Sequence, residues 1–386
     1  MSAQTEPWDR WLDEAFAELQ SDHLDRSLLP VRPGEPGRVE VGGHPLVLFS
    51  GNDYLGLSGH PRIRRAVAEA VERFGMGPRS SSLVCGYTEE HEALETELAA
   101  MDQSEAALVT PTGYAANLSA LNSLADGGTV IFSDALNHAS IVDGCRLARA
   151  SGAELQIYPH GDVDALDRAL KTTDKRRKLI VTDSVFSMDG DVAPLRDLAE
   201  LRDRYDALLM VDEAHGSLVF GDHGGGVAEA QGVADRVDVH VGTLSKAFGC
   251  IGGFIGTSHK LRRWILSRGR AYVYSTSLPV PVVAGARESL RIMADEPERR
   301  ARLWEHVARV SSALGVGGSS PIFSWVLGSE ERALHASKTL FEGGLHVPAI
   351  RPPTVPEGTA RLRITLSAAH TPEDITLLLD GLAELS

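Results

Sequence analysis

Lys246 stands between hydroxyl side chains and a run of glycines, in the stretch VGTLSKAFGCIGGF at residues 241–254. It follows DVHVGT, which has the composition of a short buried strand. A buried ammonium group costs free energy unless a partner neutralises it or a reaction consumes it. A lysine removed from water loses its proton more readily and becomes a nucleophile that forms a Schiff base with carbonyl groups. The position of Lys246 therefore predicts covalent chemistry with a carbonyl compound.

Two further stretches place ionisable side chains directly after apolar runs. MVDEAHG contains Asp212 and His215, and SDALNHAS contains His138. Pyridoxal phosphate (PLP) offers a carbonyl group, and it needs an acidic partner for its pyridine nitrogen and a group over its ring. Asp212 suits the nitrogen, His215 the ring hydroxyl, and His138 the ring face, where an imidazole also serves as acid or base. Taken singly, Asp212 equally suits a structural turn and His138 an ordinary hydrogen-bonded position.

PLP also needs a site for its phosphate. PTGYAAN at 111–117 follows an apolar run and opens a helix, so the backbone N–H groups of Gly113 and Tyr114 are candidates for binding an anion. Taken alone, this stretch also fits an ordinary turn between a strand and a helix. Thr243 and Ser245 flank Lys246 as hydroxyl donors, and DSVFSMDGD adds Ser187 beside Asp183. Together these residues predict a PLP site.

The elements that must position these residues alternate between strands and helices. Short apolar runs separated by helical stretches are typical of a mostly parallel sheet covered by helices on both faces. Such sheets bind ligands beyond the carboxyl ends of their strands, which is where the candidate residues lie. The runs read as strands are AALVTP, GTVIFSD, ELQIYP, KLIVTDS, ALLMVDE, DVHVGT and GGFIGT.

The flanking segments predict three parts of an α/β protein. Residues 1–55 predict an N-terminal arm with an amphipathic helix over 8–29 and a small β segment. Residues 56–277 predict the large sheet domain, with helices at HPRIRRAVAEAVERFG and TEEHEALETELAAM. Residues 278–386 predict a smaller α+β domain, beginning with one long helix in ESLRIMADEPERRARLWEHVARV.

Composition narrows the function classes. The formal net charge of -15 argues against a general nucleic-acid or membrane binder, because phosphate backbones and anionic lipids attract basic surfaces. Three distant cysteines, with no CxxC spacing, indicate reduced thiols, and the acidic amphipathic N-terminal segment differs from a signal or transit peptide. We therefore expect a cytoplasmic protein. The stretch HEALE lacks the second histidine of a zinc helix, so no metal site is expected.

The order of several motifs resembles that of the α-oxoamine synthases, which are PLP-dependent transferases of fold type I. The resemblance runs from about Asn52 to His370, and its most specific parts are VDEAHG followed by SKAFG. The motifs, in chain order, are GNDYLGL, LVCGYTEEHEALE, TGYAAN, FSMDGD, VDEAHG, GTLSKAFG and YSTSLP. The resemblance implies a Schiff base between Lys246 and PLP, with Asp212 and His138 as the other catalytic residues.

Further roles are implied by the resemblance alone. Arg363, assisted by Asn52, would bind the carboxylate of an amino acid substrate. Arg26, Arg351 and Thr354 would lie near the acyl-chain end of the site. Thr276 would reach the phosphate in a neighbouring subunit, which implies a homodimer with shared active sites.

The segment AIRPPTVPEGTARLRITLSAAHT at 349–371 resembles the branch of the family that serves biotin biosynthesis. That branch condenses L-alanine with pimeloyl-CoA or a pimeloyl-acyl-carrier protein and releases CO2. Three alternatives remain open: a glycine C-acetyltransferase or 5-aminolevulinate synthase, a catalytically silent PLP-binding protein, and a dinucleotide-dependent oxidoreductase.

Overall fold

The computed structural model describes residues 6–22, 24–25 and 28–385. The α-helices of these residues are α1 (Glu6–Ser21), α2 (Pro61–Phe74), α3 (Glu89–Met101), α4 (Gly113–Leu124), α5 (Ala139–Ala150), α6 (Val163–Thr172), α7 (Leu195–Arg204), α8 (Val227–Ala230), α9 (His259–Arg268), α10 (Arg270–Val273), α11 (Val280–Asp295), α12 (Glu298–Leu314), α13 (Glu330–Glu342) and α14 (Pro372–Ala383). The strands are β1 (Val31–Pro33), β2 (Arg38–Val41), β3 (His44–Leu48), β4 (Ala106–Thr110), β5 (Thr129–Asp134), β6 (Glu154–Tyr158), β7 (Arg177–Asp183), β8 (Leu208–Asp212), β9 (Val239–Thr243), β10 (Gly253–Thr257), β11 (Ile322–Gly328), β12 (Leu345–His346), β13 (Ala349–Ile350) and β14 (Ala360–Thr365).

A seven-stranded sheet forms the centre of the molecule, with the strand order β4-β10-β9-β8-β7-β5-β6. The pairs among β5, β6, β7, β8 and β9 are parallel, whereas β10 pairs antiparallel with both β9 and β4. The carboxyl ends of β4, β5, β7, β8 and β9 therefore meet at one edge. All seven predicted strands form, and the predicted mostly parallel α/β fold is confirmed.

Successive residues of the central strands pack into two different cores because side chains alternate across a sheet. Leu209 and Val211 belong to one buried cluster, and Met210 belongs to the other. Burial of each such side chain contributes about 1.5–3 kcal/mol. The sheet is therefore buried on both faces, as its apolar runs predict, and its strand ends are held firmly where the candidate residues follow.

Two smaller sheets flank the central one. The order β1-β2-β3-β12 joins residues 31–48 to Leu345, and β11-β14-β13 is antiparallel throughout. The first buried cluster runs from Val47 to Leu382 and so spans all three predicted parts of the chain. The division at residues 55 and 277 stays a prediction.

Two local expectations are wrong. The helix predicted over 8–29 ends at Ser21. The single helix predicted in the segment 288–310 is two helices, α11 and α12, which are separated at Glu296 and Pro297. Proline lacks the N–H that a continuous helix requires, so the break follows from its position. None of the helices in the described part of the chain has an apolar stretch long enough to traverse a lipid bilayer.

Candidate active site

A cavity of about 220 Å³ lies at the carboxyl edge of the central sheet. Each of five loops that leave this edge contributes to its lining, after β4, β5, β7, β8 and β9. The predicted residues that line it are Gly113, Tyr114, His138, Ser187, Asp212, His215, Thr243, Ser245 and Lys246. A larger cavity of about 540 Å³, beside β11, has no lysine or histidine in its described lining. The smaller cavity is therefore the candidate active site.

Lys246 lies three residues beyond β9 and reaches into this cavity. Its Nζ is 2.9 Å from Nε2 of His215. Burial lowers the pKa of Lys246 to about 8, although the carboxylates of Asp212 and Asp183 oppose this effect. Part of the lysine population is then an unprotonated amine near neutral pH. Such an amine can attack a carbonyl carbon.

His215 is buried and is held from its other side by Tyr54. The Tyr54 hydroxyl lies 2.6 Å from Nδ1 of His215. Burial, together with the charges of Lys246 and Arg363, holds the pKa of His215 well below its usual value, so the imidazole is neutral. Burial also raises the pKa of Tyr54 to about 12, so the phenol keeps its proton. A hydroxyl that donates to Nδ1 leaves the ring proton on Nε2, which faces Lys246.

Asp212 ends β8 and is oriented by two hydrogen bonds. The backbone N–H of Ala214 donates to Oδ1 at 2.9 Å, and Nδ2 of Asn117 donates to Oδ2 at 2.6 Å. The same Asn117 nitrogen donates to Oγ of Ser140 at 2.9 Å. These contacts fix the carboxylate on the cavity wall and link α4, α5 and β8.

His138 is the N-cap residue of α5, and its side chain faces the same cavity. Its backbone N–H donates to Oδ2 of Asp183 at 2.7 Å, and its Nδ1 is 2.7 Å from Oγ of Ser140. Desolvation lowers the pKa of His138, Asp212 opposes that shift, and Lys246 adds to it. Desolvation and the nearby Asp212 raise the pKa of Asp183 well above its usual range. At neutral pH the ring of His138 can therefore accept a proton or share one.

The N-terminus of α4 forms another part of the cavity lining. Thr112 caps this helix by accepting a hydrogen bond from the N–H of Ala115 at 3.0 Å. A Cβ atom on Gly113 would lie 3.1 Å from Cβ of Thr243, so a larger residue would crowd the close approach of this turn to the end of β9. Thr243 Oγ1 lies 2.7 Å from Ser245 Oγ. A helix N-terminus beside hydroxyl groups is a favourable place for a phosphate.

Tyr114 makes a contact that the sequence does not predict. Its hydroxyl donates to the carboxylate of Asp143 in α5. Its ring meets that of His138 edge-on, with ring centres 6.5 Å apart. The side chain therefore supports the His138 wall, whereas the predicted role concerned its backbone N–H.

Arg363 lies on β14, is buried, and points its guanidinium towards the loop that follows β7. Its Nε donates to the backbone oxygen of Ser187, and its Nη2 lies 3.4 Å from Oδ1 of Asn52. The predicted pair of Asn52 and Arg363 is therefore adjacent in space. A guanidinium oriented in this way suits a carboxylate ligand.

Five of the predicted residues that the structure describes are absent from the lining of this cavity, namely Asn52, Thr276, Arg351, Thr354 and Arg363. Thr276 is exposed, and its backbone bridges to Ser81. Arg351 and Thr354 line a separate cavity of about 480 Å³ together with Leu24 and Leu28. Arg26 lies outside the described residues.

Sequence reasoning missed Tyr54, Asn117 and Ser140. Tyr54 lies in the quoted motif GNDYLGL, two positions after Asn52. Asn117 lies four positions after Gly113, so helical periodicity puts both on one face of α4. Ser140 lies two positions after His138. Each of the three is a polar residue close in sequence to a predicted one. The residue that it contacts lies on another helix or strand, so the sequence did not predict the contact.

The residues of the cavity fit PLP. Lys246 supplies the amine, Asp212 supplies an oriented carboxylate, and the glycine turn at Gly113 leaves room beside hydroxyl donors. Oδ1 of Asn117 is buried and has no hydrogen-bond partner in the described structure, which leaves one acceptor on the cavity wall to be satisfied.

Comparison with known proteins agrees with this geometry. The model of the family described as Aminotransferase class I and II matches residues 44–382. An 8-amino-7-oxononanoate synthase of Arabidopsis thaliana is 50% identical over 88% of this chain and 74% of its own length. The protein of the same name from Anaeromyxobacter dehalogenans is 49% identical over 97% of this chain and 94% of its own. A solved serine palmitoyltransferase from S. paucimobilis with bound PLP superposes with a TM-score of 0.91 at 32% identity, covering 100% of this chain and 98% of that one.

Proposed function

The chain belongs to the class I and II aminotransferase family, and we propose that it is an α-oxoamine synthase of biotin biosynthesis. It condenses L-alanine with a pimeloyl thioester and releases 8-amino-7-oxononanoate, CO2 and a free thiol. The cofactor is PLP, as in the related structures. The observation that carries this proposal is the placement of the Lys246 amine beside His215, Asp212 and His138 in one cavity.

Bound PLP supplies a carbonyl that condenses with amines and a ring that accepts the electron pair released at the substrate Cα. Lys246 holds the cofactor covalently and, once displaced by alanine, its free amine removes the Cα proton. The lowered pKa of Lys246, about 8, supports this role because an amine must be unprotonated to act as a base. Asp212 keeps the proton on the pyridine nitrogen, for which its fixed orientation is suited.

Arg363 binds the alanine carboxylate, with Asn52 beside it. A new C–C bond forms between the alanine Cα and the acyl carbon as the C–S bond breaks, and the leaving thiolate takes a proton from solvent. The alanine carboxylate then leaves as CO2, and a proton returned to Cα from Lys246 completes the amino ketone. The His138 imidazole would help to hold the cofactor ring and would donate a hydrogen bond to the thioester oxygen as negative charge develops there.

The acyl chain extends towards the cavity that Arg351 and Thr354 line. A cationic guanidinium there suits the terminal carboxylate of a pimeloyl chain. Arg26 is assigned to the same end by resemblance alone. Apolar Leu24 and Leu28 in that lining suit the methylene chain.

The proposal includes a homodimer in which Thr276 serves the partner's site. Thr276 is exposed and does not line the cavity of its own chain. Large apolar side chains near it are also exposed, with Val84 76% and Tyr274 73% accessible. Exposed apolar patches of this kind are common at protein–protein interfaces.

A serine-using palmitoyltransferase is a second candidate, because its solved structures superpose on nearly the whole chain. Sequence identity distinguishes the two candidate functions. It is 50% to an 8-amino-7-oxononanoate synthase and 32% to the palmitoyltransferase, so the alanine reaction is favoured.

Thiol release and CO2 release test the function directly. Alanine with pimeloyl-CoA is compared with glycine plus acetyl-CoA or succinyl-CoA, and with serine plus palmitoyl-CoA. We expect kcat/KM for the alanine and pimeloyl pair to exceed each other pair at least about a hundredfold, a difference of about 2.7 kcal/mol. Superior turnover by any other pair contradicts the assignment. Stable PLP binding without turnover by any pair would indicate a silent PLP-binding protein.

A further inference from the structure

His160 lies between two carboxylates that belong to different elements. It follows β6, and its Nδ1 is 3.0 Å from Oδ1 of Asp134 at the end of β5. Its Nε2 is 2.8 Å from Oδ2 of Asp191. Phe186 packs edge-on against the ring, with ring centres 4.3 Å apart. The imidazole therefore joins the central sheet to the stretch of chain that follows β7.

That stretch is the 185–192 loop, which closes on itself through a bridge between Val185 and Val192. Within it, the N–H of Phe186 donates to the backbone oxygen of Asp191 at 3.0 Å, and the N–H of Gly190 donates to that of Phe186 at 2.8 Å. Ser187, at its tip, lines the candidate active site. The loop thus connects His160 to the site.

The loop also orients arginines of β14. The backbone oxygen of Ser187 accepts from Nε of Arg363, and the carboxylate of Asp189 pairs with Arg361. Gly190 packs against β11, where a Cβ atom would lie 2.2 Å from the backbone oxygen of Ile322. A displacement of the loop would therefore move the Ser187 oxygen that holds Arg363.

We infer that protonated His160 is a positioning residue that clamps the 185–192 loop and thereby fixes Arg363 for the carboxylate of the amino acid substrate. This inference rests on the proposed function only in the identity of that substrate. Both ring nitrogens face carboxylate oxygens, and only the imidazolium form has an N–H on each nitrogen. The clamp is complete in the charged form and loses one of its two hydrogen bonds when the ring becomes neutral.

The surroundings of His160 favour the charged ring. Burial acts to lower its pKa, but the hydrogen bonds and charges of Asp134 and Asp191 outweigh burial and raise the pKa above its ordinary value. Asp134 is buried and also accepts the N–H of Gly161 and that of Leu136, so its position is fixed. Burial and the charge of Asp134 raise the pKa of the neighbouring Tyr158, which stays a neutral phenol.

The sign of the pH dependence follows from the raised pKa. The stabilisation by the clamp is fully present below the ordinary histidine value of about 6.5 and is lost as the pH rises through the higher pKa of the folded state. Loss of the clamp weakens ground-state and transition-state binding of the substrate carboxylate equally. It therefore raises KM more than it lowers kcat.

Hydrogen exchange of the peptide that contains Phe186 and Gly190 tests the clamp without any substrate. We expect exchange in His160→Gln to be about tenfold faster than in the wild type below pH 7, with the ratio falling towards one as the pH rises. Asp191→Asn, which keeps the shape but removes the charge, should exchange as fast as His160→Gln. His335→Gln, an exposed position on α13, serves as the control and should match the wild type. Equal exchange in His160→Gln and wild type at every pH would overturn the inference.

Steady-state kinetics with alanine test the consequence for the site. We expect KM for alanine to rise about fivefold in His160→Gln while kcat changes less than twofold. The alkaline rise of KM in the wild type should be absent from the variant. His160→Gln could instead lose kcat and thermal stability at all pH values while the pH profile of KM stays unchanged. That result would show that His160 has only a structural role, and it would overturn the inference. If no protein in the series uses alanine, the proposed function fails, and the exchange measurement still decides the clamp.

Discussion

At the residue scale, the contact between Tyr54 and His215 influences which ring nitrogen of His215 carries the proton. A neutral imidazole has one N–H, and where the Tyr54 hydroxyl, 2.6 Å from Nδ1, donates to that nitrogen, the N–H is on Nε2. Nε2 is the nitrogen that faces Lys246. The tyrosine therefore acts on the reacting lysine through the histidine.

Tyr54→Phe should lower kcat about tenfold and lower the free energy of unfolding by about 1–2 kcal/mol. Removal of the hydroxyl frees the tautomer of His215 and leaves Nδ1 without a donor in a buried place, at a cost of about 1–2 kcal/mol. Steady-state kinetics and the pH dependence of the PLP absorbance measure the effect. Tyr205→Phe, which removes a hydroxyl that donates to Asp167 at the surface, is the matched control. A Tyr54→Phe enzyme with wild-type kcat and absorbance profile would show that the hydroxyl has no role in proton placement.

Residues that follow apolar strands were predictable, and their partners were not. Asp212 ends a strand whose apolar pattern is strong, and Lys246 and His138 follow such strands within three or four residues. Tyr54 and His215 are 161 positions apart, so no local pattern connects them. Arg363 was placed by resemblance to a family, because its neighbours in sequence do not show which side of β14 it faces.

At the element scale, glycine at position 113 leaves room for the close approach of the N-terminus of α4 to β9. Gly113→Ala should raise the dissociation constant of PLP about tenfold, because the added Cβ would press on Thr243. Overpacking of this kind costs about 1–3 kcal/mol. Equilibrium binding of PLP to the apoenzyme measures the effect. Gly317→Ala, where a Cβ atom would meet nothing within 4 Å, should bind PLP normally. Unchanged binding by Gly113→Ala contradicts the assignment of this turn to the phosphate.

Glu213 follows β8 and is buried beneath α8. Its carboxyl group accepts hydrogen bonds from Ser184 and from the backbone N–H groups of Val227 and Ala228. Burial raises the pKa of Glu213 to about 7 in spite of these bonds. The folded protein therefore holds a proton that the unfolded chain has released between the ordinary glutamate value and pH 7.

This protonation makes stability fall with rising pH across that window. Glu213→Gln, which cannot ionise, should remove a share of the fall on the order of 3 kcal/mol. Urea unfolding at pH 5, 6 and 7 measures the slope. Glu342→Gln, at an exposed position on α13, is the control. A Glu213→Gln slope identical to that of the wild type would mean that Glu213 ionises normally in the folded state.

The apolar periodicity of the sequence predicts most helices and strands, because burial determines both the periodicity and the position of these elements. Strands with both faces buried are continuous apolar runs, and all seven predicted strands form. The apolar sequence of β10 does not predict that this strand is antiparallel to β9. Its direction depends on the connection through residues 244–252. The helix predicted across Pro297 is wrong for a different reason. The helical spacing of apolar and charged residues continues on both sides of Pro297, but proline interrupts the helix.

At the whole-molecule scale, the single chain leaves apolar surface exposed. All of the large apolar residues of α1, including Trp8 and Trp11, face solvent, and so do Val84 and Tyr274. The amphipathic pattern of α1 predicted a helix but not what its apolar side would cover. A sequence records the hydrophobic face of a helix, whereas the partner of that face depends on assembly.

Thr276→Ala should weaken PLP binding about fivefold and leave the molecular mass in solution at twice the chain mass. The proposed role for Thr276 is one hydrogen bond to a phosphate in the partner's site, and such a bond to a charged group contributes about 1.5–3 kcal/mol, part of which water replaces. Light scattering and PLP titration measure the two quantities. Ser275→Ala is the neighbouring control, since its hydroxyl donates to the backbone of Ala271. A monomeric wild type with full activity contradicts the shared site.

The most direct test of the central claim is borohydride reduction of the PLP-loaded enzyme followed by peptide mass mapping. We predict one reduced PLP adduct per chain, on Lys246, with loss of the long-wavelength absorbance. Lys246→Ala should carry no adduct and should not turn over alanine, while Lys260→Ala should label as the wild type does. An adduct on any other lysine, or turnover by Lys246→Ala at the wild-type rate, would contradict the account.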